Sequence, residues 1–165
     1  MPAFFRRSPR TAGLPLEAGE RLLATATLTS GIAAATDRRL LIPVADGFYA
    51  IEWESVDRAR WDRDGESLVV VETVPMGSPA RNHRLRFEQP GRLLDVIREQ
   101  VTASVVISRY VPVDAERGVR VTGRRRAGQV GLRWVVAVDA GLDLADPSVR
   151  ALVDAAVAGV RAEVE

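Results

Sequence analysis

The chain of 165 residues contains no cysteine and only one histidine. The lack of cysteine excludes disulfide bridges, thiolate metal sites and cysteine nucleophiles. Every mechanism that needs an imidazole base would have to use His83, the single histidine. No apolar run approaches the roughly 18 residues that a membrane-spanning helix requires. These absences exclude many catalytic and membrane-embedded classes.

Lysine is also absent, so every basic side chain is an arginine, although the net charge is only +1. A chain so close to neutral has no overall field that would attract nucleic acid or a membrane. The arginine bias has two interpretations: codon usage in a GC-rich genome, or recognition of phosphate and carboxylate, which would require the arginines to cluster. Residues 1–13 include Arg6, Arg7 and Arg10 but no apolar core of a signal peptide. We therefore expect a flexible basic arm and a cytoplasmic location.

Between Glu20 and Trp61, short apolar runs alternate with turn signals and leave almost no room for a helix. The pair Asp46-Gly47 is a strong hairpin signal. Two further runs follow, a β-branched segment at 67–74 and an alternating segment at 82–88. The sequence therefore predicts a meandering antiparallel sheet of seven strands.

After this sheet the apolar period changes from that of a strand to that of a helix. Pro90 is well placed at a helix start. Leu93, Leu94, Ile97 and Val101 then recur at helical spacing. These residues predict an amphipathic helix that ends between residues 101 and 108.

Seven strands followed by one helix, with the run AATDRRLLI in the second hairpin, resemble bacterial pleckstrin-homology-like (PH-like) and GRAM-like domains. The run TDRRL…W…VDRARWDRD also resembles a group of actinobacterial proteins. The resemblance covers residues 14–104 and implies an α+β fold, in which a bent seven-stranded antiparallel sheet or barrel is capped by the helix. It also implies that the four apolar helix residues, Leu93, Leu94, Ile97 and Val101, plug one open end of the sheet. Relatives that bind phosphoinositides carry basic residues on the first two strands and in the loop between them, and in this chain that loop, 29–31, has no charge. We therefore do not expect a membrane lipid as partner.

The remaining residues, 105–165, predict a second unit docked on the barrel. Segments 118–126 and 130–139 are predicted to form a hairpin. Asp146 and Pro147 have the residue types of a helix N-cap and first helical position. The expected extension is therefore a ββα unit.

Side chains that could carry chemistry are few. His83 shares a strand face with Leu85 and Phe87, which is typical of a half-buried structural histidine. No nucleophile elbow, metalloprotease motif or phosphate loop is present. The acidic residues in 139–146 lack the dense alternation and closing glutamate of a calcium loop. The sequence therefore predicts a protein that is not an enzyme, with no metal, no cofactor and no small-molecule substrate.

The best candidate site is a group of arginines on the predicted C-terminal hairpin. No acidic residue lies between Arg117 and Asp139, so this charge is not cancelled locally. A hairpin with an arginine tip can contact phosphate backbones, although a solvated tip is the alternative interpretation. Aromatic residues do not alternate with the arginines, which argues against stacking of single-stranded bases. The group consists of Arg120, Arg124, Arg125, Arg126 and Arg133.

Two function hypotheses follow from the sequence. The first is a non-enzymatic binding or scaffold module whose partner is another protein. The second is association with nucleic acid or the ribosome through the arginine hairpin at 120–133 and the basic N-terminal arm.

Overall fold

The computed structural model of the protein describes residues 13–73 and 78–164. They form an α+β fold with a seven-stranded antiparallel sheet, a three-stranded antiparallel sheet and two α-helices. Across these two ranges, no helix is both long enough and apolar enough to cross a bilayer. The predicted basic arm falls, except for Gly13, outside the described residues.

The larger sheet confirms the predicted seven antiparallel strands. Its order is β4-β3-β2-β1-β7-β6-β5, so β4 and β5 are the edge strands. Within the described residues these two edges do not pair, and the sheet does not close into the barrel that the resemblance implied. The strands are β1 (Leu22–Leu28), β2 (Gly31–Thr36), β3 (Arg39–Val44), β4 (Gly47–Glu52), β5 (Val56–Asp62), β6 (Ser67–Glu72) and β7 (Arg81–Gln89).

A short 3-10 turn, Trp53–Ser55, separates the two edge strands along the chain. Trp53 is only 3% exposed, and its indole N–H donates a hydrogen bond of 2.9 Å to the carbonyl of Thr36. This anchored turn carries the chain from one edge of the sheet to the other. Because only three residues join them, the end of β4 and the start of β5 lie close together, although the two strands do not pair within the described residues.

Helix α1, Leu93–Ser104, covers the apolar inner side of this sheet. It begins three residues after Pro90, because Gly91 has a φ of +50°, which is incompatible with an α-helix. Leu93 and Ile97 are fully buried, as the predicted plug requires. Two other predicted plug residues, Leu94 and Val101, are only partly buried.

The second unit contains one strand more than the predicted ββα arrangement. Strand β8 (Val105–Pro112) follows α1 directly and pairs with β9 (Gly118–Arg125), which pairs with β10 (Leu132–Val138). Apart from Ile107, the apolar residues of β8 are partly or largely exposed, so the strand has no clear apolar alternation in sequence. The extension is therefore βββα.

Helix α2, Pro147–Ala162, packs on one face of the small sheet through Val153 and Val160. The predicted cap is confirmed, since the carboxylate of Asp146 accepts a hydrogen bond from the backbone N–H of Ser148. The two sheets have separate hydrophobic clusters. The boundary between residues 104 and 105 as a domain limit stays a prediction.

Candidate functional site

The five arginines of the candidate hairpin do not form one basic patch. Arg124 is only 4% exposed and points toward the larger sheet. Its Nη1 donates to the hydroxyl of Ser104 (2.8 Å) and the carbonyl of Val101 (3.4 Å), and its Nη2 donates to the carbonyl of Asp57 (2.8 Å). This arginine joins β9 to α1 and β5.

Two further arginines of the group contact the 3-10 turn. Arg133 donates a hydrogen bond of 2.7 Å to the hydroxyl of Ser55. Arg126 lies with Nε 3.7 Å from Oε1 of Glu54, a buried carboxylate. Burial raises the pKa of Glu54, with a smaller contribution from the charge of Glu52. The positive charge of these arginines has no acidic neighbour along β9 and β10. It is therefore partly balanced by polar and acidic groups that are remote in sequence.

The other two arginines, Arg120 and Arg125, are exposed. The guanidinium of Arg120 lies 5.8 Å from the ring centroid of Tyr110. Because alternate residues of a strand point to opposite faces, these two lie on different faces of β9. The hairpin therefore offers dispersed charges, and no sequence signal indicated which arginines would be buried.

His83 is half-buried, as its strand pattern predicted. Its Nε2 lies 2.9 Å from Oε2 of Glu72, and its ring stacks on Tyr49 with 5.0 Å between centroids. The hydroxyl of Tyr49 donates to the same carboxylate at 3.0 Å. Over the described ranges, no group of three or more histidine or acidic side chains could hold a metal ion.

An apolar groove lies between α1 and the edge strand β5, with a volume of about 460 Å³. One helical face supplies Leu94, Val101 and Thr102. The strand side includes Trp61, which is 43% exposed, and one end includes Val105, which is 37% exposed. The partial exposure of the two predicted plug residues results from this groove.

The groove, called here the α1–β5 groove, reaches the free edge of the larger sheet. Three consecutive residues of β5, Asp57, Arg58 and Ala59, contribute to its lining. Because β5 is an edge strand of the larger sheet, a groove lined by these residues adjoins that edge. An edge strand carries backbone N–H and C=O groups that no neighbouring strand uses. On β5 the carbonyl of Asp57 is already occupied by Arg124, and the other edge groups remain for a partner.

A second cleft, of about 490 Å³, lies between the two sheets. It is lined by the β5–β6 side of the large sheet and by residues 135–142 and Leu144. Its carboxylate at Asp139 already accepts hydrogen bonds from the hydroxyl of Tyr110 (2.6 Å) and the backbone N–H of Gly118 (2.8 Å). The carboxylate of Asp139 is therefore already engaged within the fold.

No protein-family model, curated protein or solved structure matches the chain. The chemistry of the α1–β5 groove must therefore be argued from its own residues. It combines exposed apolar side chains, an open strand edge and positive charge. This combination is suited to binding an extended polypeptide.

Proposed function

We propose that the chain is a non-enzymatic binding module that takes an extended peptide segment of another protein into the α1–β5 groove. The observation that carries this proposal is the exposure of Trp61 beside the free edge of β5. A PH-like fold and a cytoplasmic location, both expected from the sequence, belong to the same proposal. The seven-stranded sheet with a helix after its last strand supports the PH-like part.

Peptide binding at a sheet edge uses two kinds of contact. The backbone of the added segment bonds to the free N–H and C=O groups of the edge strand, which gives affinity for any extended chain. Alternate side chains of the segment then enter neighbouring pockets and give selectivity. Here Trp61 and Leu94 stand on the two sides of the groove and would contact such side chains.

The size of the Trp61 contribution follows from its exposure. A tryptophan side chain buries up to about 250 Å², so its 43% exposure leaves about 100 Å² for a partner to cover. At about 25 cal/mol per Å², covering this surface is worth about 2.5 kcal/mol, or about 70-fold in Kd.

The proposal is tested by selecting peptides from a random display library against the purified protein. Synthetic copies of the enriched peptides are then titrated against wild type, Trp61→Ala and a matched control, Ile32→Ala. Ile32 is 41% exposed on β2 and does not line the groove. We expect Trp61→Ala to weaken binding by up to about 70-fold and Ile32→Ala to leave it unchanged. Peptides that bind both variants equally well, or no enrichment against folded protein, would overturn the proposal.

The nucleic-acid hypothesis stays a prediction. Arg124 contacts α1 and β5, and Arg126 and Arg133 contact the 3-10 turn. Arg120 and Arg125 are the exposed members of the group. If the hypothesis holds, binding to RNA falls steeply as salt rises and is lost on replacing the exposed pair with serine. Retention on RNA that is indifferent to both changes would contradict it.

A further inference from the structure

Arg124 carries a buried positive charge without a paired carboxylate. Its three hydrogen bonds go to neutral oxygens. Within residues 13–73 and 78–164, Asp57 is the acidic group whose charge acts on it, and no carboxylate oxygen lies within 4.0 Å of the guanidinium. Arginine stays protonated even when buried, so this charge costs folding free energy unless something balances it.

The guanidinium also has donors to spare. An arginine has five N–H groups, and those of Arg124 make three hydrogen bonds. Its Nε is buried without an acceptor in the described residues, and its Nη2 makes one bond out of the two it can make. Carboxylates bind arginine through two neighbouring N–H groups of this kind.

The unpaired charge lies at the α1–β5 groove. Arg124 lines the groove together with two more arginines, Arg58 and Arg98, against a single acidic residue, Asp57. The side chain of Arg58 is 67% exposed, and Arg98 is exposed on the groove face of α1. The groove therefore has an excess of positive charge beside an apolar lining.

We propose that the α1–β5 groove recognises a carboxylate of the bound peptide, and that Arg124 supplies its counter-charge. This inference rests on the proposed peptide-binding function and adds the chemical class of the ligand. The carboxylate comes from an aspartate or glutamate side chain or from a peptide C-terminus. It also gives the second unit a role, because β9 brings into the groove an arginine that the larger sheet does not contain.

The inference is tested with the peptides selected against wild type, each synthesised in three further forms. One form replaces aspartate and glutamate by their amides, one has an amidated C-terminus, and one has both changes. We expect the form that lacks the recognised carboxylate to bind wild type at least about tenfold more weakly. The single change that produces this loss identifies the source of the carboxylate.

Variants of the protein provide the second arm. Arg124→Gln should bind the charged and neutralised peptides equally well, and thermal melting shows whether it is folded. If it does not fold, Arg98→Glu is the deciding variant, because Arg98 is exposed and its replacement should not disturb the fold. This substitution should weaken binding of the acidic peptide at least about tenfold and leave binding of the neutral peptide unchanged. Arg60→Glu, an equal charge change on β5 outside the groove lining, is the matched control.

The outcomes separate the two proposals. Equal affinity of charged and neutralised peptides for wild type, with binding that still depends on Trp61, would overturn the carboxylate inference and leave peptide binding intact. Binding that is indifferent to Trp61 would overturn peptide binding in the groove itself. Equal weakening by Arg98→Glu and Arg60→Glu would show a non-specific charge effect and would also overturn the inference.

Discussion

Replacement of Glu20 by glutamine should destabilise the protein more than any surface charge change. Glu20 is 9% exposed and links the chain before β1 to β2 and β3. Its Oε1 accepts hydrogen bonds from the hydroxyl of Thr36 (2.6 Å) and from Nε of Arg39 (2.9 Å). Its Oε2 accepts from Nη2 of Arg39 (2.9 Å) and from the backbone N–H of Glu17 (2.8 Å).

The pKa of Glu20 gives the magnitude. Burial alone would raise this pKa, but the hydrogen bonds from Arg39, from the backbone of Glu17 and from Thr36 outweigh it and lower the pKa from 4.5 to about 2. Each pKa unit corresponds to about 1.4 kcal/mol, so the ionised carboxylate contributes about 3 kcal/mol to the free energy of unfolding. Because the folded pKa is the lower one, this contribution is complete above about pH 4.5 and is lost as the pH falls toward 2.

We therefore expect Glu20→Gln to lower the free energy of unfolding by about 3 kcal/mol at pH 7, because it leaves Arg39 without its buried partner. The difference from wild type should shrink as the pH falls toward 2. Urea unfolding followed by tryptophan fluorescence measures both values. The matched control is Glu17→Gln, since Glu17 pairs with the same arginine at 3.3 Å but its side chain is 58% exposed, and it should cost less than about 1 kcal/mol.

The reasoning would be refuted by a Glu20→Gln variant within about 0.5 kcal/mol of wild type at pH 7. A loss that is the same at pH 7 and at pH 3 would refute the ionic origin of the effect, because wild type should by then have lost part of the contribution of its carboxylate.

Two further substitutions test other parts of the fold. Gly118→Ala places a Cβ against the backbone oxygen of Val111 and 2.7 Å from the ring of Tyr110, and it should lower the free energy of unfolding by at least about 2 kcal/mol. The control, Gly159→Ala, has no atom near its Cβ and should not lower the free energy of unfolding. Equal melting temperatures of the two variants would contradict the packing at Gly118. Glu54→Gln should be more stable than wild type at pH 7 and similar to it at pH 4. Burial raises the pKa of Glu54, so its ionisation at higher pH lowers the free energy of unfolding of wild type. A variant that is less stable than wild type in urea at pH 7 would contradict this prediction.

Much of the large sheet could be predicted because its turns carry local signals. The Asp46-Gly47 signal falls at the β3–β4 hairpin, whose two-residue loop is Ala45-Asp46 and whose second strand starts at Gly47, the partner of Val44. Strand β8 could not be predicted, since its exposure has no simple period and only Ile107 is buried. The start of α1 was misplaced because Pro90 opens a turn and Gly91 then takes a positive φ.

The candidate site was harder to predict than the fold, because its residues come from remote segments. The burial of Arg124 depends on the carbonyl of Asp57 and the hydroxyl of Ser104, and nothing near β9 in sequence indicates either contact. The exposure of Trp61 depends on where α1 lies across the open sheet, although the tryptophan itself fits an amphipathic strand. Local patterns therefore identified the strand and the helix but not the groove between them.

Amide hydrogen exchange of the protein saturated with a selected peptide tests the central claim most directly. If the peptide adds to β5 in the α1–β5 groove, the amides of Val56–Asp62 that face the free edge should exchange more slowly in the complex. The amides of β4, the other edge strand, should be unchanged and serve as the internal control. Protection confined to β4 or to the hairpin at 120–133, with β5 unaffected, would contradict the account.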